Sequence, residues 1–399
     1  MGVMDKELTQ ALEATADVRT AEPTPIIFDL SQKEDRAALE KLFSSGKVLQ
    51  KSDDYEEQQR ELFGVRNPSL VYTPDFEASF QKYYKELSGG GSIEEHGRWV
   101  YYPWRGLVAH ILPEEEYQTV HTARNRNLVT QEEQQKFYQS VIGIAGLSVG
   151  SSVAFAIALS GGGRRMKLAD MDRLALSNTN RVLAGANELG ALKVYMAARK
   201  IYEINPYAEL ELFSDGLTEE NIDRFFDGLD IVIDEIDNLA LKYLIREQAH
   251  VRKLPIVMAA DNGDNALIEV ERHDLETKPA FFHDRMGEVS YEFLKGLDKF
   301  GIGKYITKWV GADTVTIRMQ DSLKELGKSL VSWPQLGIAA MVNGATVAYC
   351  VRRIVNDQEL ITDRALVSLD ELLIPSFSSA ESTAHRKKAS EQFAQMFGL

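Results

Sequence analysis

The chain has 399 residues, 44% apolar and 26% charged, which suits a soluble protein with two or more compact units. Its formal net charge of −15 disfavours broad binding to nucleic acid or anionic membrane, although Arg164, Arg165 and Lys167 form a local basic cluster. Cys350 is the only cysteine, which excludes an internal disulfide and a cysteine-built zinc site and points to the cytoplasm. The opening MGVMDKELTQ is polar and has no signal-peptide run. Gly2 alone matches a myristoylation start, because Lys6 stands where Ser or Thr is required.

Residues 23–30 read as a strand and 35–43 as a helix. Residues 73–87 read as an amphipathic helix with Thr73 as cap and Pro74 at the first position. Ser88 to Ser92, SGGGS, is a flexible break. The aromatic and β-branched stretch 98–112 predicts two strands around a turn at Pro103 to Gly106. Residues 1–125 thus form a small N-terminal α+β accessory domain. An exposed aromatic surface for a partner is the other reading of the 98–112 stretch.

Thr130 with Glu133 forms a capping box that opens a helix. Beyond it, strands are expected at 141–145, 166–170, 208–213, 231–234 and 255–260. Helices are expected between them, at 151–159, 187–204, 218–226 and 239–251. This alternation predicts a Rossmann-like α/β fold, with a mostly parallel sheet covered by helices on both faces. Residues 126–375 make up this domain. Within it, 267–272 and 314–319 read as further strands and 336–355 as a final helix. The apolar run 336–351 contains Asn343 and Gly344 and falls short of the ~20 residues of a membrane span, so it reads as a core helix. Residues 376–399 read as a polar tail.

The first strand leads into a glycine-containing turn. The dinucleotide fingerprint requires three glycines, and this chain offers Ala145, Leu147 and Gly150, with Gly146 between the first two. Leu147 is expected to hinder close backbone approach to a pyrophosphate bridge. A mononucleotide with phosphates further along the loop fits better. Asp170 ends the second strand, where a carboxylate can accept both ribose hydroxyls. Asp172 divides evenly between ligand and cap. Asn178 and Asn180 suit an ordinary turn, and Lys193 alone would be a solvated helix lysine.

Taken in order, these residues resemble the ThiF/MoeB superfamily, the bacterial relatives of ubiquitin-activating enzymes. The pattern appears as Gly146 to Gly150, Asp170-Met171-Asp172, Ser177-Asn178-Thr179-Asn180-Arg181, then Lys193, then Asp237 and Asn238 in DEIDN. The resemblance covers residues 120–355 and is nearest to ThiF-like proteins with an extended N-terminal part. It implies an adenylyltransferase that uses ATP and magnesium to activate a carboxylate. That acid would be a ubiquitin-like protein's terminus, a ribosomal peptide or a small acid. It further implies that Gly146, Gly150, Asp170, Asp172, Asn178 and Asn238 contact the nucleotide. Arg181 and Lys193 would hold the triphosphate, and Asp237 would hold Mg²⁺. Arg126, in RNRN, would reach the nucleotide of the other subunit of a homodimer.

The cysteine nucleophile and paired CxxC zinc motifs of many relatives are absent, so neither thioester transfer nor zinc is expected. Cys350 reads as a small buried hydrophobe. DNGDN (261–265) and His283-Asp284-Arg285 read equally as substrate loops or polar turns. His273 and His283 lack metal-ligand spacing. Three alternatives stand beside the adenylating reading. They are a tRNA threonylcarbamoyladenosine dehydratase-like enzyme, an NAD- or FAD-dependent oxidoreductase, and a noncatalytic subunit of a larger activating complex.

Overall fold

The computed structural model describes residues 8, 10, 12, 13, 15, 17–89, 91–275 and 280–399. Most of the N-terminal decapeptide and Gly90 of the SGGGS break lie outside these residues. The chain divides into two compact units, one of residues 1–134 with 198–208, the other of 135–197 with 209–399.

The first unit contains a four-stranded sheet. Its strands are β1 (Ile26–Phe28), β2 (Gln50–Asp53), β3 (Arg98–Tyr102) and β4 (Leu107–Ile111), in the order β1-β3-β4-β2. The β3–β4 hairpin turns at Gly106, whose φ of +59° suits glycine. Trp99, Tyr101 and Val108 pack with Phe28 and Leu39. His110 lies between the rings of Tyr55 and Trp99, at 4.1 and 4.4 Å. Its nitrogens face Asp53 Oδ1 at 3.1 Å and the His96 carbonyl at 2.7 Å. Trp99, Tyr101 and Tyr102 are all buried, so these aromatics build a core and do not offer an exposed binding surface.

The second unit contains a seven-stranded sheet. Its strands are β5 (Val141–Ala145), β6 (Arg165–Ala169), β7 (Glu209–Phe213), β8 (Ile231–Asp234), β9 (Pro255–Asn262), β10 (Asn265–Arg272) and β11 (Arg364–Val367). The order is β11-β10-β9-β8-β5-β6-β7. The pairings from β9 through β7 are parallel, while β9–β10 and β10–β11 are antiparallel. The expected mostly parallel sheet is therefore formed. The order reverses beside β5, with β6 on one side and β8 on the other. That reversal opens a crevice at the carboxyl ends of the strands. Central strands such as Ile231–Asp234 are buried throughout, as helices on both faces require.

The helix Gly337–Val355 packs on Val149–Leu159 and on β9 and β10. Its 19 residues are long and apolar enough to cross a membrane by length and composition, and about half of the helix is buried in the fold. Gly344 allows the close helix approach, since a Cβ there would lie 2.7 Å from the Ser152 carbonyl.

Several expectations differ from the structure. Thr73 does not cap the helix, which opens at Phe76 after Asp75, and the helix expected from residue 187 opens at Lys193. The segment 314–319, read as a strand, opens the helix Ile317–Lys324. Thr316 caps this helix, its hydroxyl accepting the Met319 N–H, so the β-branched Val315-Thr316-Ile317 marks a helix start. Gly337–Val355 is not the final helix. Where a polar tail was expected, Ala380–Met396 is a helix that fully buries Phe393 and packs on Ile317–Lys324. One apolar anchor amid polar residues is a weak periodic signal.

Candidate nucleotide and carboxylate site

The loop after β5 is bound by backbone geometry. Gly146 has a φ of +89°, and a Cβ there would lie 2.3 Å from the Glu235 carbonyl. Its N–H donates to the Ala169 carbonyl at 2.8 Å. Gly150 sits in the first turn of the 149–159 helix, where a Cβ would be 3.0 Å from Ile144. Leu147 was expected to obstruct the loop. Its side chain is instead fully buried in the core.

Asp170 stands just past β6 and is largely buried. Its Oδ2 accepts the Leu147 N–H at 2.7 Å, and its Oδ1 accepts the Asp172 N–H at 2.8 Å. Burial pushes its carboxyl above the ordinary value, against the opposing charge of Lys193. Lys193 opens the helix Lys193–Ile204 and is buried. Its Nζ lies 2.7 Å from Asp172 Oδ2 and 4.0 Å from Asp170 Oδ2. It is not the solvated lysine that its sequence neighbourhood alone suggests.

Arg181 reaches the same loop, its Nε donating to Ser148 Oγ at 3.1 Å. Burial lowers its pKa, while Asp261 and Asp237 oppose that shift. Asn178 uses its Oδ1 to accept the Ala175 N–H, closing the turn before Arg181. Asn238 caps the helix Leu239–Arg252, its Oδ1 accepting the Leu241 N–H at 3.0 Å. Asp237 is exposed beside it, at the mouth of the crevice. Among the described residues no cluster of three metal-ligating side chains occurs. A lone carboxylate suits a Mg²⁺ that is otherwise held by phosphate and water.

A cavity of about 390 Å³ adjoins Ser148, Arg181 and Asp237. Asp261, just inside it, accepts from Asn343 at 2.7 Å and from Gln335 at 3.3 Å. Burial raises its carboxyl to about 6. The sequence left DNGDN between substrate loop and turn. The structure makes it the β9–β10 hairpin and puts Asp261 on the cavity wall. Sequence reasoning missed Ser148, and it missed the wall residues Trp309, Met319 and Trp333, which come from segments with no motif.

Behind the site lies a buried charge network. Asp234 pairs with Lys242 at 3.0 Å and with Arg246 at 2.7 Å, and Arg246 pairs with Glu271 at 2.7 Å. The Arg246 guanidinium lies 3.9 Å from the centre of the Phe282 ring. Cys350 is buried, as expected, and burial pushes its thiol up to about 11.

Arg126 follows the short 3-10 turn Ala123–Asn125 and belongs to the first unit. The other site residues named from the sequence all belong to the second unit. Arg181 and Asp237 share the 390 Å³ cavity, and Asp170, Asp172 and Lys193 form one cluster.

A glycine loop and a strand-end carboxylate at the switch point of a mostly parallel sheet define a Rossmann-like fold. Residues 122–270 match the ThiF family, so the chain carries a ThiF family domain. The chain is 37% identical over 281 residues to uncharacterized protein MT1398 of Mycobacterium tuberculosis (strain CDC 1551 / Oshkosh), covering 70% of this chain and 39% of that protein. It is 38% identical over 120 residues to a tRNA threonylcarbamoyladenosine dehydratase of Bacillus subtilis (strain 168), covering 30% of this chain and 46% of that protein. It is 29% identical over 134 residues to a sulfur carrier protein adenylyltransferase of Thermus thermophilus, covering 33% of this chain and 48% of that protein. The chain therefore spans less than half the length of each of these relatives. Among solved structures, E. coli MccB with ATP aligns at 17% identity and a TM-score of 0.45, over 64% of this chain and 69% of that one.

Proposed function

We propose that the protein adenylates a carboxylate with ATP and Mg²⁺. The observation that carries this reading is the placement of Arg181 and Asp237 on one cavity, beside a loop bound to Asp170 and backed by Lys193. In this reading Asp170 accepts the ribose hydroxyls. A substrate carboxylate oxygen attacks the α-phosphorus. The bond to the bridging oxygen of the β-phosphate breaks, and pyrophosphate leaves. Negative charge grows on the phosphoryl and leaving oxygens, where Arg181 and Lys193 stabilise it. Asp237 would hold a magnesium ion, which supplies further charge neutralisation at the phosphates.

The relatives named for adenylyl transfer support this reading. The buried Cys350, with its raised pKa, makes capture of the acyl group by an enzyme thiolate a poor fit. The activated acid passes instead to an outside nucleophile. A ubiquitin-like terminus, a ribosomal peptide or a small acid are the candidate substrates. The same reading includes a cytoplasmic homodimer in which Arg126 reaches the partner's nucleotide. Carboxylate-dependent ATP–pyrophosphate exchange tests the reading. Absence of Mg·ATP binding by isothermal titration would refute it.

A second reading is supported by the 38% identity to a tRNA threonylcarbamoyladenosine dehydratase. There the carboxylate is that of the modified nucleoside. Tight tRNA binding with a steep salt dependence would favour it, and the net charge of −15 argues against it.

A further inference from the structure

We infer that the acid activated at this site carries a bulky apolar group beside its carboxylate, and that the cavity on the β8–β9 side of the site receives that group. The inference rests on the adenylation reading and adds the substrate class.

The sheet order separates two halves of the site. Asp170 follows β6, on one side of β5, and is not part of the cavity wall. Ser148, Arg181 and Asp237 stand at the boundary. The cavity extends to the other side, along β9 and β10. A nucleotide whose ribose lies at Asp170 and whose phosphates lie at Arg181 leaves this half to the second substrate.

The wall there is largely apolar, with Lys242, Asn262 and Gln335 among its polar members. Met258, Leu267, Ile306, Trp309, Met319 and Trp333 line it. The Trp309 indole N–H donates to Glu269 Oε2 at 2.6 Å, and its ring meets Phe282 edge-on at 5.1 Å. Its orientation is therefore set without a ligand. Two carboxylates of the wall are served by the protein itself. Asp261 accepts from Asn343 and Gln335, and Glu235 Oε1 accepts the Ala259 N–H at 2.9 Å.

At about 390 Å³ the space is within the range of small-molecule sites. An acid ending in glycine would leave it to water, which finds few free polar partners along this wall. An aromatic or branched aliphatic group would fill it and keep the carboxylate near Arg181 and Asp237.

The test compares N-acetylphenylalanine and N-acetylleucine with N-acetylglycine, in two ways. Ligand-observed NMR titration of the nucleotide-free protein reads binding alone. ATP–pyrophosphate exchange reads activation. The expected result is at least about tenfold tighter binding, and a correspondingly lower KM, for the bulky acids. Met319→Trp, which fills the cavity, should abolish that preference with the Mg·ATP Kd unchanged. Equal binding of all three acids, tighter binding of N-acetylglycine, or binding of none overturns the inference. So does a preference that survives in a folded Met319→Trp protein. Loss of Mg·ATP binding in the wild-type protein would instead overturn the adenylation reading, and the nucleotide-free titration still decides what the cavity accepts.

Discussion

The Nζ of Lys193 lies 2.7 Å from Oδ2 of Asp172, across 21 residues of sequence. Lys193 is buried and the Asp172 side chain is 64% exposed, so the carboxylate holds the ammonium from the solvent side. A phosphate arriving at the loop would meet a cation already in place. Lys193→Ala is expected to lower pyrophosphate exchange by about 10²-fold or more. The melting temperature should fall modestly, because Asp172 remains solvated while the buried Asp170 loses its neighbouring cation. Asp172→Asn should raise the KM for ATP several-fold while kcat stays within about tenfold. Unchanged exchange in the lysine variant would remove it from the phosphate site.

Arg181→Ala and Asp237→Ala address the boundary between the two halves of the site. Each should lower carboxylate-dependent exchange by about 10²–10³-fold. Both should keep the wild-type circular dichroism spectrum. Full exchange in either variant would show that the motif resemblance does not carry that residue's role.

Asp261 makes the protein's stability depend on pH in a defined window. Its folded pKa is raised to about 6, against about 3.9 in an unfolded chain. The protonated form is favoured by the fold, so its contribution is fully present below about pH 4 and is lost as pH rises towards 6. Asp261→Asn removes this loss, and Gln335 can turn its amide to match. The stability of the variant relative to wild type should therefore rise by roughly 1–3 kcal/mol between pH 4 and pH 7. Urea unfolding at both pH values measures it. A pH-independent difference would contradict the assignment.

Arg246 is fully buried between Asp234 and Glu271. Arg246→Ala leaves both carboxylates buried without their shared cation. Denaturant unfolding should show a loss of about 3–5 kcal/mol. A loss below about 1 kcal/mol would mean that water or rearrangement replaces the guanidinium.

Cys350 tests the fate of the activated acid. Cys350→Ala should leave exchange within about twofold of wild type, with a modest packing cost typical of a small core truncation. Iodoacetamide should not label the native protein, since the thiolate is disfavoured by burial. Loss of turnover in a folded variant would restore a thioester route.

Much of the parallel sheet was legible because buried strands and amphipathic helices alternate at readable lengths. The grouping of the motif residues was legible for a related reason. Asp170, Asp172, Asn178 and Arg181 lie within one strand–loop segment, where short spacing fixes proximity. Leu147 was misjudged because a sequence shows a side chain's size and not its direction. The helix at 317–324 was misread because Thr and Ile favour strands in isolation, whereas Thr316 here serves as a cap.

The sequence by itself determined the class of fold, the loop, and the residues suited to hold a phosphate and a ribose. Only the tertiary structure placed Asp237 and Asp261 on one cavity with Trp309, Met319 and Trp333. It also turned Lys193 from a helix lysine into a buried partner of Asp172. Those groups come from strand ends, a hairpin and distant helices, and only the packing of the sheet edge brings them together. A local pattern can specify what binds a phosphate, because that chemistry is built within a single turn. The cavity proposed to receive the acid is a volume enclosed by several segments, and it exists only once they have folded.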